Sequence, residues 1–510
     1  MIGMLLALPQ IDEDYNIHMA ASSYPLLYQL NARVRQCELS HATISPLPLN
    51  DWPDSEWDRL AELGFDWVWL LGVWETGKAG QRVSRTQSGW QKSFKAACLP
   101  DLSETDICGS CFAITRYQVA DRLGGNKALQ HLRHKLNERG LRLMLDFVPN
   151  HTALDHPWTQ TYPEFYIDGT QEDLQRNPQN YIALVSNSSG TDQRIFAYGR
   201  DPYFDGWPDT LQLDYSNPAV QQAMQEELLN ITELCDGVRC DMAMLLLPQI
   251  FERTWQRSIT SFWPATIQAV RKQFPGFLFL AEVYWDLEWT LQQQGFDYTY
   301  DKRLYDRLLS QASKPVHDHL TAGITYQRKL ARFLENHDEQ RAAAVFPPTV
   351  HEAAAMINYL APGMRFFQAG QLEGKRVQTP IHMCRSPDEP TDSRLSHFYQ
   401  QLLQILRNPV LRQGNWILLE CLPAQKENGT WNNFIAYRWQ GENSDSLLII
   451  VNYAPHPGQC LLEFADLQPG ESTRSWHDLM NSSESLPVRI ENITQLFVDL
   501  PAWGYHILEK

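Results

Sequence analysis

Arg239 and Asp241, in the segment Cys235-Asp-Gly-Val-Arg-Cys-Asp-Met-Ala243, are the residues whose types and spacing point most directly to chemistry. A short apolar segment ending in Arg-x-Asp reads as a buried strand whose last residues reach a polar rim, and side chains two apart on a strand share a face. Arg239 and Asp241 are therefore expected to look the same way. A guanidinium beside a carboxylate favours the ionised carboxylate, so the pair predicts an Asp241 anion suited to nucleophilic attack. An ordinary Arg–Asp salt bridge at a strand end is the competing reading of this segment taken alone.

Three other stretches repeat the design and weigh against that simpler reading. Leu141-Arg-Leu-Met-Leu-Asp146 runs into Phe147-Val-Pro-Asn150-His151, Gly276-Phe-Leu-Phe-Leu-Ala-Glu282 runs into Val283-Tyr-Trp285, and Leu330-Ala-Arg-Phe-Leu-Glu-Asn336-His337-Asp338 opens a further polar end. Near-continuous apolar runs mark strands buried on both faces, as in parallel sheets covered by helices. Acids and histidines gathered at the carboxyl ends of such strands place the chemistry at the rim of a β/α barrel.

The rest of the chain supplies the remaining elements. Leu27–Cys37 and Phe65–Gly72 read as the first two strands, with a helix starting near Asp51–Leu60 between them. The stretch from Glu75 to about Asp106 reads as an irregular loop over the rim. A helical pattern over Gly124–Gly140 precedes the Leu141 strand. About sixty patternless residues follow His151, through Tyr162–Tyr166, Asn187–Gly190 and Gly206–Pro208, a length that marks a functional excursion or subdomain overhanging the site. Helices near Pro218–Leu234 and Gln249–Phe274 flank the Asp241 strand; Phe296–Tyr300 and Met364–Gln368 bring the strand candidates to the eight a closed barrel needs. From about Gly414, short strands at Ser446–Asn452, Cys460–Phe464 and Gln495–Leu500 are separated by Pro, Gly and Asn turns. The expected architecture is thus a (β/α)8 TIM barrel with a loop-rich insertion after strand 3 and a C-terminal all-β domain. The barrel would take residues 1–150 and 208–410, the insertion 151–207, and the C-terminal antiparallel domain 411–510.

Composition narrows the partners. With 43 basic against 60 acidic residues the formal charge is -17, which disfavours nucleic acid and anionic membranes. No run of 18 or more apolar residues is present to span a bilayer. Seventeen Trp and twenty Tyr offer faces for stacking on sugar rings. Nine scattered cysteines, and a mildly apolar Met1–Pro9 without a basic leader that runs into Asp12-Glu-Asp14, point to a reducing cytoplasm. Cys108-Gly-Ser-Cys111 has redox or metal spacing but no second pair nearby.

Four motifs in order resemble the conserved regions of the α-amylase family, glycoside hydrolase family 13. Asp146-Phe-Val-Pro-Asn150-His151 is similar to the first, Gly237-Val-Arg239-Cys-Asp241 to the second, Glu282 after its apolar strand to the third, and Asn336-His337-Asp338 to the fourth. Phe65-Asp-Trp-Val-Trp-Leu-Leu71 resembles the family's second barrel strand, Gln212-Leu-Asp-Tyr-Ser-Asn217-Pro the region before the nucleophile strand, and the C-terminal β unit its usual third domain. The resemblance implies a retaining α-glycosidase. Asp241 would be the nucleophile, Glu282 the acid/base held protonated by its apolar setting, and Asp338 the third catalytic carboxylate. Arg239, Asp146, His151 and His337 would bind substrate. No cofactor is implied beyond a structural calcium, which Asn150 ligates in some members.

Two departures bear on substrate. Polymer-active members carry Lys-His after the nucleophile, where this chain has the apolar Met242-Ala-Met-Leu-Leu246. A Tyr-Asp pair that packs on the bound sugar is replaced by Cys111-Phe112. These point to a short α-glucoside or α-gluco-oligosaccharide rather than starch. A transglycosylase, isomerase or phosphorylase would share the covalent intermediate. A silent carbohydrate-binding barrel would predict a broken triad, whereas all three carboxylates are in place.

Overall fold

Eight short parallel strands, mostly apolar and almost wholly buried, close into a barrel. They are β1 (Leu26–Asn31), β2 (Trp67–Leu71), β3 (Arg142–Phe147), β4 (Gly237–Cys240), β5 (Leu278–Ala281), β6 (Tyr298–Tyr300), β7 (Leu330–Arg332) and β8 (Met364–Gln368), with β8 pairing back onto β1. All five residues of β2 and all four of β4 are buried, because helices cover the outside and side chains fill the inside. The computed structural model describes residues 23–40, 46–185, 193–441, 445–463, 477–480, 489–492 and 495–509. Met1–Pro9, Asp12–Asp14, Asn187–Gly190 and Phe464, singled out in the sequence, lie outside them.

Register decides which side chains share the barrel's interior. Arg239 of β4 is opposite Asp146 of β3 on one side and Leu280 of β5 on the other. The ladder continues one residue past the strands: the Asp241 amide donates to the Phe147 carbonyl at 2.8 Å, and the Glu282 amide to the Cys240 carbonyl at 3.0 Å. Both carboxylates are thus set by sheet hydrogen bonds, a stiffer support than a loop provides.

Three expectations are corrected. The first strand ends at Asn31, and Ala32–Ser40 is a helix; Asn31 Oδ1 accepts from the Arg33 and Val34 amides and turns the chain at that point. Glu75 to Asp106 is not irregular: it forms a short hairpin with Ile114–Val119 and two helices, Lys78–Thr86 and Ser88–Ala97. The excursion after His151 contains a hairpin, Tyr181–Val185 with Gln193–Ala197, and a small pairing of His151–Ala153 with Thr210–Gln212.

Among the described residues the C-terminal region forms two antiparallel sheets, one of five strands centred on Phe434–Gln440 and Ser446–Asn452, the other of four centred on Gly458–Glu463 and Gln495–Leu500. The inner face of the first packs on the barrel: Trp439 Nε1 donates to the Leu360 carbonyl at 2.7 Å and Tyr453 Oη to the Leu308 carbonyl at 2.6 Å. At the floor of the barrel Arg365 is fully buried. Its guanidinium donates to the carbonyls of Tyr359, Tyr24 and Leu411 at 2.8, 2.6 and 2.7 Å. Burial and the neighbouring Arg412 push it down to about 9.

Candidate active site

At the carboxyl ends of β3, β4, β5 and β7 the structure brings Asp146, Arg239, Asp241, Glu282 and Asp338 to one rim. Arg239 is the hub. Its Nη1 contacts Asp241 Oδ1 at 2.6 Å and Asp146 Oδ1 at 3.6 Å, and its Nη2 reaches Glu282 Oε2 at 2.7 Å. The guanidinium carbon lies 5.3 Å from the Trp69 ring centre, 5.1 Å from that of Phe112 and 5.8 Å from that of Tyr300. An aromatic box of this kind holds the cation in place by its ring quadrupoles while excluding water.

One cation facing several buried acids cannot ionise them all. Burial pushes Glu282 up to about 7, with Arg239 opposing and the Asp241 and Asp338 charges adding to the rise. Burial likewise raises Asp146 to about 7 against Arg239. Burial also raises Asp241 from its ordinary value, against the guanidinium, whose attraction is shared with Asp146 and Glu282. Glu282, raised to about 7, is the natural proton carrier near neutral pH. Glu282 also accepts from the Met242 amide at 2.7 Å and from Tyr284 Oη at 2.9 Å. Met242, Trp285 and Asp286, in the turns behind the two carboxylates, have φ of +41°, +65° and +62°. Left-handed backbone at residues other than Gly is costly and gathers at functional sites.

Asp338 is the open member of the group, with 39% of its side chain exposed. Asn336 Oδ1 accepts from the amides of Asp338 and Glu339, both at 2.9 Å, which fixes this turn. A buried pair, Arg341 Nη1 to Glu335 Oε1 at 2.6 Å, braces it from behind. His337 Nδ1 is 2.8 Å from Gln29 Nε2, and its Nε2 lies 3.1 Å from Asp338 Oδ2. His151 packs against Trp207 at 5.2 Å. Burial pushes both histidines down to about 3, so they are neutral near pH 7.

Asp241, Glu282, Asp338 and His151 line a cleft of about 340 Å³. Its walls add Trp90, Phe112, Trp207, Asp209 and His382; Phe112, and Trp207 within Gly206–Pro208, were marked in the sequence, the other three were not. Asp209 is buried and pushed up to about 6 by its burial. These wall residues come from helices and loops far apart in the chain, and no local spacing marks them. A larger cavity of about 580 Å³ opens beside β1 and β8, shares His337, and contains none of the three carboxylates of the cleft.

The calcium expectation does not fit. The Asn150 side-chain oxygen accepts from Gln212 Nε2 at 3.0 Å while its amide donates to Gln212 Oε1 at 3.1 Å, a closed amide pair. Among the described residues no group of three His, Cys, Asp or Glu side chains is arranged to hold a metal. Calcium needs six or more oxygens.

The comparisons agree with this geometry. A family model for the α-amylase catalytic domain matches residues 55–376, and the chain belongs to the α-amylase family. Alpha-amylase 3 of Dictyoglomus thermophilum is 22% identical over 341 residues, covering 62% of this chain and 63% of that protein, so the match takes in less than two thirds of that relative's length. Trehalose synthase of a Pimelobacter species is 32% identical over 127 residues, 23% of this chain and 21% of that one. In fold, the maltogenic α-amylase AmyB from Thermotoga neapolitana aligns with a TM-score of 0.68 at 18% identity, over 96% of this chain and 98% of its own. No described helix is long and apolar enough to cross a membrane.

Proposed function

We propose that the chain is a retaining α-glycosidase acting on a short α-glucoside or α-gluco-oligosaccharide through a covalent glycosyl-enzyme intermediate. The observation that carries this is that the Asp241 and Glu282 carboxyls both contact one guanidinium, Arg239 Nη1 at 2.6 Å and Nη2 at 2.7 Å. Inverting enzymes keep their two carboxyls about 6.5–9.5 Å apart to admit a water, whereas retaining enzymes bring them to about 5–5.5 Å. Two carboxyls gripped by the two terminal nitrogens of one guanidinium favour the closer spacing.

Asp241 attacks the anomeric carbon as Glu282 gives its proton to the leaving oxygen; a glycosyl ester forms and the glycosidic C–O bond breaks. Water then attacks the same carbon, Glu282 takes its proton back, and Asp241 leaves. Arg239 bears the charge that moves between the carboxyls. Asp338 and the neutral His151 and His337 hydrogen-bond sugar hydroxyls.

The cleft volume lies within the ~300–1,000 Å³ of small-molecule sites. Ala243–Leu246 is buried and only Met242 of that segment faces the cleft, so no polar grip for a long leaving chain is offered there. The test is a panel of maltose, maltotriose, isomaltose, sucrose, trehalose, small glucosides and soluble starch, with Asp241→Asn alongside. Release of an α-configured sugar by wild type is expected, with the variant down on the order of 10⁴-fold, about 5 kcal/mol of barrier. Unchanged activity in the variant, or efficient depolymerisation of long amylose, would refute the reading.

Transfer to a sugar acceptor is the second reading, favoured by the aromatic walls Trp90 and Trp207, on which an acceptor ring could stack, and by the likeness to a protein named trehalose synthase. The ratio of free sugar to transferred product, with and without phosphate, separates the two.

A further inference from the structure

Cys108 and Cys384 flank a lone antiparallel bridge between Ile107 and Met383, the contact that joins the long loop after β2 to the long loop after β8. The Cys108 amide donates to the His382 carbonyl at 2.9 Å and the Cys384 amide to the Asp106 carbonyl at 2.9 Å. Residues 108 and 384 therefore sit diagonally on the same face of this bridge. Cys108 Sγ lies 3.4 Å from the His382 carbonyl and Cys384 Sγ 3.5 Å from the Asp106 carbonyl, each reaching across the bridge, and both side chains are half-buried. The Cys-x-x-Cys spacing is misleading, since Cys111 is buried with its thiol pushed up by that burial. Cys108 has its partner 276 positions further on, beyond the reach of any local motif.

We propose that Cys108 and Cys384 form a thiol–disulfide exchange site for small anionic disulfides, whose oxidised form staples the loop after β2 to the loop after β8. Cys108 is the attacking group. The Cys384 thiol, then the guanidinium groups of Arg33 and Arg122, hold the Cys108 thiol down to about 5 against its burial. Arg33 Nη1 is 3.5 Å from Cys108 Sγ. Thiolates, not thiols, are the nucleophiles in exchange. A separate cleft of about 340 Å³ opens on Cys108, and its walls carry Arg33, Lys78 and Arg122 against the acids Glu75 and Asp121. Three cations around a thiolate suit a disulfide bearing carboxylates.

The chemistry balances with that disulfide as the oxidant. Cys108 sulfur bonds to one sulfur of the small disulfide, whose S–S bond breaks and releases one small thiol. Cys384, losing its proton, then attacks the Cys108 sulfur, forms the protein disulfide and releases the second small thiol. Each protein sulfur is oxidised as the small disulfide is reduced. The linkage would lie between walls of the sugar cleft, because Ser110 and Phe112 follow Cys108 while Ile381 and His382 precede Cys384, and all four line that cleft.

The test uses the full chain and glutathione disulfide at pH 6, with peptide mapping by mass spectrometry, and needs no glycosidase activity. The expected result is a Cys108–Cys384 linked peptide forming before any other cysteine reacts, and a single glutathionyl group trapped on Cys108 in Cys384→Ser. A brief pulse of iodoacetamide on the wild-type protein at the same pH should label Cys108 first, a readout independent of whether the variant folds. Labelling of Cys37 or Cys98 at an equal or greater rate, or a first disulfide that joins Cys108 to Cys111, would overturn the assignment.

Discussion

Glu282 Oε2 stands 2.7 Å from Arg239 Nη2, while Nη1 of the same guanidinium holds Asp241 at 2.6 Å. Two buried acids thus lean on a single charge at the rim, and their proton occupancy follows from that ratio. A single buried cation compensates one anion well and a second one poorly.

Stability should register this. Glu282 is raised from its ordinary 4.5 to about 7 in the folded chain, so between those values the native state binds more protons than the unfolded one. The protonated group's contribution to stability is full below 4.5 and is lost as pH rises through 7. Glu282→Gln, neutral at every pH, is expected to melt above wild type at pH 8, by on the order of 1–3 kcal/mol, with the gap narrowing toward pH 4.5. Thermal melts across pH check it; a gap that widens on acidification would contradict the assignment.

The alkaline limb of the rate profile should report the same proton. If Glu282 is the acid, kcat/KM falls as pH rises past about 7. Tyr284 Oη donates to Glu282 at 2.9 Å, a bond that favours the carboxylate. Tyr284→Phe should therefore move the limb to higher pH. A limb that stays put would assign the titration to another group.

Trp207 lines the cleft against His151 and offers a face to the sugar. Trp207→Ala is expected to raise KM for the best oligosaccharide about 3–10-fold, the worth of one stacking contact at ~0.5–1.5 kcal/mol, with a smaller change in kcat. Initial-rate kinetics decide it, and a fall in kcat with KM intact would place Trp207 in transition-state rather than substrate binding.

Chelation should be without effect. With Asn150 closed onto Gln212, dialysis against EDTA is expected to leave melting temperature and turnover unchanged. A drop in melting temperature reversed by calcium would show that the amide pair opens to a metal.

The strands leading to Asp146, Asp241, Glu282 and Asp338 were legible because a strand buried on both faces is written in mainly apolar residues, and its polar end stands out against them. The helix Lys78–Thr86 was not, since its buried positions include Gly80 and Ser84: small residues pack closely without leaving an apolar stripe to read. Ala32–Ser40 failed for a related reason, burying Ala32, Arg33 and Gln36. The four chemical motifs carried their own signal, whereas Trp90, Trp207 and His382 meet at the cleft only because a helix and two loops far apart in the chain converge there. The partnership of Cys108 with Cys384 is likewise a product of folding alone.

Arg365 joins three parts of the chain with three carbonyl hydrogen bonds: the entry to β1 at Tyr24, the helix end at Tyr359 before β8, and the segment at Leu411 leading to the C-terminal sheets. Unfolding any one of them strands part of a buried cation, at a cost well above that of a single neutral hydrogen bond. The seam where the barrel closes and the link to the β sheets are therefore thermodynamically coupled, so barrel and sheets lose structure in one cooperative step rather than as independent modules.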